Sequence, residues 1–185
     1  MDDDHSQLVA LIKDKSLRFG DFVLASGQRS DYYIDCRKAT MSAAGLRLIG
    51  ILGLRKIREM GWKVAAVGGM TLGADPVSYA IAMASNADPP ALDAFTVRKE
   101  AKRHGTGSPV EGCLPEGGRV VVIEDVITTG GSALKAIEAA AGAGAEVAGV
   151  LAVVDRRGGG REAIESAGFS TTSLVDLSEL GVGRG

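Results

Sequence analysis

Residues 120 to 132 constrain this chain more than any other stretch: Val120-Val121-Val122-Ile123-Glu124-Asp125-Val126-Ile127-Thr128-Thr129-Gly130-Gly131-Ser132. Four consecutive β-branched residues mark a strand buried on both faces, the kind found in parallel sheets covered by helices. Glu124 and Asp125 follow directly and mark where the chain leaves the apolar interior. Small and hydroxyl residues fill positions 128 to 132, and residues 133 to 141 then carry Leu134, Ile137 and Ala141 on one helical face. Strand, loop and helix follow in that order.

Such a loop aims several backbone N–H groups at one spot beside the positive end of a helix, and the hydroxyls of Thr128, Thr129 and Ser132 add donors. A phosphate fits there. Glu124 and Asp125 repel a phosphate but can accept hydrogen bonds from a pair of vicinal hydroxyls. A diol beside a phosphate describes a ribose 5-phosphate. Two rival phosphate loops fail on inspection. The chain has no G-x-x-x-x-G-K-[ST], and Gly142-Ala143-Gly144 is followed by Val147 where a dinucleotide fingerprint needs its third glycine.

The order of apolar run, two acids, two apolar residues and Thr/Gly/Ser loop resembles the phosphoribosyl pyrophosphate (PRPP) signature of type I phosphoribosyltransferases. The resemblance implies a mainly parallel α/β sheet flanked by helices. It implies that Thr128, Thr129, Gly130, Gly131 and Ser132 hold the 5-phosphate, and that Glu124 and Asp125 hold the ribose hydroxyls.

With 185 residues, 45% of them hydrophobic, the chain can bury one substantial core, and a single domain over residues 1 to 185 is expected. Cys36 and Cys113 lie far apart with no C-x-x-C partner, which favours reduced thiols in a cytoplasmic protein over a bridge or a metal site. The acidic start and the lack of a long apolar run argue against a secretory signal or membrane span. A net charge of −2 gives no global attraction to nucleic acid.

Leu8, Leu11 and Ile12 give residues 5 to 15 a helical face, with Asp2, Asp3 and Asp4 ahead of it. Residues 17 to 35 then read as two short strands around a Ser-Gly turn and form a small N-terminal hood. This segment is similar to the hood of orotate phosphoribosyltransferases, in which a Leu-x-Ser-Gly-x-x-Ser-x-Tyr pattern closes over the base. Tyr33 and Ile34 match the positions set against the orotate ring, although a strand tyrosine serves sheet packing as readily as stacking. Some relatives carry a PRPP-contacting lysine where this chain has Ala25. Arg29, Arg37 and Lys38 are the candidates to replace that charge.

Ser42 caps a helix that ends near Gly61 and carries Leu46, Ile49, Leu52, Leu54 and Ile57 inside it. A strand over residues 63 to 67 leads to a second glycine-rich turn, residues 68 to 74. Two anion-accepting turns at one sheet edge can bind two phosphate groups of one ligand. The resemblance gives the second turn, with Gly69 and Thr71, to the pyrophosphate, and this chain lacks the lysine some relatives place there.

A strand over residues 92 to 97 runs into Arg98-Lys99-Glu100-Ala101-Lys102-Arg103-His104-Gly105. Four bases against one acid make residues 98 to 104 locally +3. The charges alone suit a solvated basic loop or a mobile lid over residues 98 to 109. Arg-Lys-x-x-Lys-x-His-Gly resembles the catalytic loop that distinguishes orotate phosphoribosyltransferases from purine-specific relatives. Arg98, Lys99, Lys102 and His104 match it. The family's loop closes largely onto the neighbouring subunit's PRPP, so the resemblance implies a homodimer sharing catalytic loops. Cations brought in by closure stabilise a departing pyrophosphate.

The strand over residues 147 to 154 ends at Asp155-Arg156. Arg156 suits either a surface ion pair or a carboxylate clamp, and it matches the family's orotate-contacting arginine. Residues 161 to 185 read as a helix, a strand over 169 to 175 and an acidic ending. The resemblance implies transfer of the phosphoribosyl group from PRPP to orotate, with Thr128, Arg156, Tyr33 and Ile34 on the base. Arg98, Lys99, Lys102, His104 and Asp125 are the catalytic group. Mg2+ would be held mainly by PRPP oxygens rather than by a protein metal site. A PRPP-sensing regulator on the same fold, a purine phosphoribosyltransferase and a nucleic-acid binder using the 98 to 104 patch are the alternatives.

Overall fold

A computed structural model describes residues 3 to 23, 29 to 99 and 109 to 182 of the chain. Its centre is a six-stranded sheet in the order β5-β4-β3-β6-β7-β8. The strands are β3 (Ala66–Met70), β4 (Asp93–Val97), β5 (Val110–Gly112), β6 (Arg119–Ile127), β7 (Glu146–Asp155) and β8 (Thr171–Asp176). All neighbours pair parallel except β5, which lies antiparallel on β4 at the edge. The sequence reading foresaw a mainly parallel sheet; the three-residue β5 was too short to leave a periodic signal.

Helices cover both faces. On one side lie α1 (Asp3–Lys15), the short α2 (Arg37–Thr40), α3 (Ala43–Glu59) and α4 (Ala74–Ser85); on the other lie α5 (Gly131–Gly142) and α6 (Gly160–Ser166). The β-branched run in β6 feeds both layers. Val121 and Ile123 pack under α1, α3 and α4 with Leu8, Ile49 and Ile81, while Val120 and Val122 pack under α5 and α6 with Ala136, Ile137 and Ile164. Two buried faces explain why this strand is apolar without alternation. The Ser42 hydroxyl accepts from the Gly45 N–H and caps α3, as its position foretold.

Several boundaries differ from the sequence reading. Strand β6 does not stop at Ile123: its ladder continues to Ile127, paired with Asp155, so Glu124 and Asp125 sit inside the strand. Backbone pairing is indifferent to side-chain polarity, and the acids mark the cleft end of the strand rather than its exit. The buried face of α5 is Ala133, Ala136, Ile137 and Ala140, whereas Ala141 is exposed and Leu134 half-buried. Alanines fit where the helix lies close on the sheet. Gly68 and Gly69 belong to β3, not to the turn after it, because a side chain at Gly68 would meet Phe95 and one at Gly69 would meet the backbone of Ile123.

The hood is a separate antiparallel pair, β1 (Leu17–Val23) with β2 (Arg29–Ile34), irregular between Phe19 and Phe22. The turn that joins them lies outside the described residues, as do Ala25, Lys102 and His104. Leu17 and Ile34 anchor the hood in the main core, and Phe22 and Tyr33 pack with ring centroids 5.6 Å apart. No helix among the described residues is long and apolar enough to cross a membrane.

Candidate active site

Strand order locates the site. From β3 the chain moves outward to β4 and β5, then crosses back to place β6 on the other side of β3. The turns leaving β3 and β6 therefore diverge toward opposite layers and leave a crevice beyond their carboxyl ends. A cleft of about 870 Å³ opens there, roofed by Tyr33 and Ile34 of the hood and floored by residues of both turns.

The β6–α5 turn contributes Thr128, Thr129 and Ser132 to the cleft wall. Gly130 is the N-cap of α5 in left-handed conformation, φ 79°, and a Cβ there would lie 2.7 Å from the Gly160 carbonyl oxygen. No other residue type suits that combination. Among the described residues, no group accepts the backbone N–H of Thr129, Gly130, Gly131 or Ser132. Four donors at a helix N-terminus without protein partners are a ready seat for a phosphate.

The two acids stand beside that seat in unequal surroundings. Glu124 is 8% exposed, its Oε1 has no hydrogen-bond partner, and burial, aided by the charge of Asp125, pushes its pKa up to about 8. Asp125 is half-buried; burial raises it too, opposed by the Val126 N–H that its Oδ1 accepts at 2.9 Å. A buried carboxyl oxygen lacking a donor is costly. A hydroxyl donor in the cleft would relieve that cost.

The β3–α4 turn, residues 71 to 73, meets Asp125 from the other side. A Cβ on Gly73 would fall 2.6 Å from Asp125 Oδ1, so glycine here lets the acid and the turn share one spot. Thr71 lines the cleft, yet its N–H donates to the Val97 carbonyl at 2.8 Å and its hydroxyl to Asp75 Oδ2 at 2.8 Å. Both donors of Thr71 are thus engaged within the protein. Gly69, also expected there, is buried in β3 and does not line the cleft.

Among the described residues, three cations face the cavity: Arg37, Lys99 and Arg156. Of the three candidates to replace the charge missing at Ala25, Arg37 is the one on the cleft wall. It is held to Asp35 at 2.9 Å, and that hydrogen bond keeps the Asp35 carboxyl below its usual range. Arg156 stacks over the Tyr32 ring at 5.0 Å, which fixes the guanidinium plane. Lys99 lines both the cleft and a neighbouring depression beside Lys135 and Glu138, whereas Arg98 lines that depression but not the cleft and pairs with Glu111 at 3.5 Å.

Sequence reasoning missed Asp35, Cys36, Leu72 and Val126, all on the cleft wall. Cys36 is fully buried, and burial pushes its thiol well above the ordinary range, with Asp125 and Asp35 adding to it. Only the Asp35–Arg37 spacing after a strand carried a usable signal for this group.

A ribose-phosphate cleft at the switch point of a parallel sheet, with a hood above it, defines the phosphoribosyltransferase class. The chain matches the family model described as "Phosphoribosyl transferase domain" over residues 66 to 178. It is 48% identical to orotate phosphoribosyltransferase of Aquifex aeolicus over 180 residues, covering 96% of this chain and 97% of that one. Against the Rhodopirellula baltica enzyme of the same name the identity is 44% over 183 residues, covering 97% and 95%. The crystal structure of Mycobacterium tuberculosis orotate phosphoribosyltransferase in complex with PRPP superposes with a TM-score of 0.80 at 38% identity, covering 98% of this chain and 93% of that one. The chain belongs to the orotate phosphoribosyltransferase family.

Proposed function

We propose that this enzyme transfers the 5-phosphoribosyl group of PRPP to N1 of orotate, giving orotidine 5-monophosphate and pyrophosphate in pyrimidine synthesis. The bond from the anomeric carbon to the pyrophosphate oxygen breaks as the bond to N1 forms on the opposite face, with inversion through an oxocarbenium-like state. The observation that carries this reading is the unpartnered Oε1 of buried Glu124 beside the partnerless amides of residues 129 to 132. Diol and monoester receptors adjoin in one cleft.

The cleft and the family resemblance together support the following roles. Amides of the β6–α5 turn and the hydroxyls of Thr128, Thr129 and Ser132 take the 5-phosphate, and Glu124 and Asp125 take the ribose hydroxyls. Arg156, oriented by Tyr32, clamps the orotate carboxylate under Tyr33 and Ile34. Lys99 and Arg37 offer positive charge to the pyrophosphate; the resemblance adds Arg98, Lys102 and His104 to the cationic group that stabilises its departure.

Among the described residues there is no cluster of three or more His, Cys, Asp or Glu side chains able to hold a metal. A Mg2+ ion bound chiefly through substrate oxygens needs few protein ligands, and Asp125 beside the β3–α4 turn is the carboxylate that would meet it. Such an ion, when bound, neutralises the leaving group. The exposed Leu72 of that turn and the exposed Tyr79 and Met83 of α4 support a homodimer. The free thiols of Cys36 and Cys113 favour a cytoplasmic location.

Loss of orotate absorbance on adding PRPP and Mg2+ tests the reaction, with hypoxanthine and adenine as control acceptors. Turnover with a purine and none with orotate would overturn the assignment of the base. Lys102→Ala is expected to lower kcat far more than it weakens orotate binding.

A further inference from the structure

Asp75 carries a set of contacts that the substrate roles above do not use. It sits in the first turn of α4, where a carboxylate is favoured by the helix N-terminus. Its Oδ2 accepts the Thr71 hydroxyl at 2.8 Å and its Oδ1 accepts the Thr96 hydroxyl at 2.8 Å. Thr96 spends its one hydrogen on Asp75, so the Tyr79 hydroxyl, 3.1 Å from Thr96 Oγ1, must be the donor in that contact. The chain of donors runs from Tyr79 to Thr96 to Asp75, and from Thr71 to the same carboxylate.

This network adds side-chain ties where the β3–β4 ladder, which pairs Gly69 with Thr96 and Met70 with Val97, gives way to the turn. Thr71 opens the β3–α4 turn, and its N–H also donates to the Val97 carbonyl of β4. Thr96 lies two residues ahead of Arg98 and three ahead of Lys99, so the strand end that launches the cationic segment is bolted to the turn. With both donors of Thr71 committed, the groups left to meet an anion are the N–H groups of Leu72 and Gly73, which donate to no described residue. Their placement depends on Thr71 being held.

We propose that Asp75 is a positioning residue for the leaving group: it fixes the β3–α4 turn against β4 so that the Leu72 and Gly73 amides face the pyrophosphate. It touches no substrate and acts through Thr71 and Thr96. This inference rests on the assignment of the cleft to PRPP.

The reverse reaction separates the two. With the full-length enzyme, Mg2+, pyrophosphate and orotidine 5-monophosphate, Asp75→Ala is expected to raise the KM for pyrophosphate about tenfold or more while leaving the KM for the nucleotide within about twofold, since one ordering hydrogen-bond network is lost. Asp75→Asn, which keeps one acceptor oxygen, should recover part of the loss. Thr71→Val and Thr96→Val remove the hydroxyls without changing shape and should each raise the pyrophosphate KM. Each should add little on top of Asp75→Ala, as members of one network do. These two variants also stand in if Asp75→Ala fails to fold. A folded Asp75→Ala with unchanged pyrophosphate KM, or equal losses for both substrates, would overturn the positioning role. Absence of pyrophosphorolysis in the unmodified enzyme would instead overturn the PRPP assignment itself.

Discussion

The two glycine-bearing turns at the head of the sheet look alike in sequence and work differently. In the β6–α5 turn the backbone is bent into a left-handed glycine, Gly130, and the amides of residues 129 to 132 have no acceptor among the described residues. In the β3–α4 turn Gly73 has ordinary right-handed angles, φ −68°, and is glycine only because Asp125 occupies the space of a side chain. The first turn takes its form from backbone conformation; the second is held in place by the side chains around it. A Gly-rich turn after a strand therefore does not by itself say how an anion is bound.

The sharpest break of that contrast is Gly130→Ala. A positive φ and a clash with the Gly160 carbonyl act together, so a stability loss of about 1–3 kcal/mol is expected along with a fall of about a hundredfold or more in kcat/KM for PRPP. Thermal unfolding and steady-state kinetics measure the two. A fully active, fully stable variant would show that the left-handed cap is incidental.

Gly73→Ala should behave in the opposite way. No backbone strain is introduced, so Tm should stay within about 2 °C, while displacement of Asp125 raises the KM for PRPP by about tenfold. Equal thermal losses for Gly73→Ala and Gly130→Ala would erase the distinction between the turns.

The acid pair between the turns gives a pH signature. The folded pKa of Glu124, about 8, stands above its ordinary value of 4.5, so between those values the folded state holds a proton that the unfolded chain has released. Stability of the unliganded protein should decline as pH rises from about 4.5 to about 8, and Glu124→Gln should flatten that decline. Ribose hydroxyls donating to the carboxylate favour its charged form, so binding of ribose 5-phosphate should release a proton near neutral pH. Calorimetry in buffers of different ionisation enthalpy reads that proton. Zero proton release with ligand bound would mean that Glu124 does not meet the diol.

The smallest expected effect is Ser132→Ala. Backbone amides dominate the first turn, so loss of one hydroxyl should cost about 1 kcal/mol, a severalfold rise in the KM for PRPP. A loss as large as that of Gly130→Ala would move the burden of phosphate binding from backbone to side chain.

Much of this was legible from residue order. Local pattern sufficed for the β6 strand, the capped α3, the hood pair and the phosphate turn, because each depends on neighbours a few positions away. The reach of β6 past its acids was not, since the ladder to Asp155 comes from a strand almost thirty residues on. The misassignment of Gly69 has the same origin. Its lack of a side chain answers to the Ile123 backbone across the sheet, not to a turn of its own.

What the sequence by itself determined was the class of ligand: an apolar strand, two acids and a hydroxyl-rich helix start permit a ribose phosphate and little else, since those chemical groups lie within thirteen consecutive positions. What only the tertiary structure decided was which side chains share that ligand's cavity. Arg37 entered it, Arg98 turned aside, and Asp75 tied Thr71 to Thr96, because crossover connections and strand order bring together residues whose separation along the chain carries no record of their distance in space.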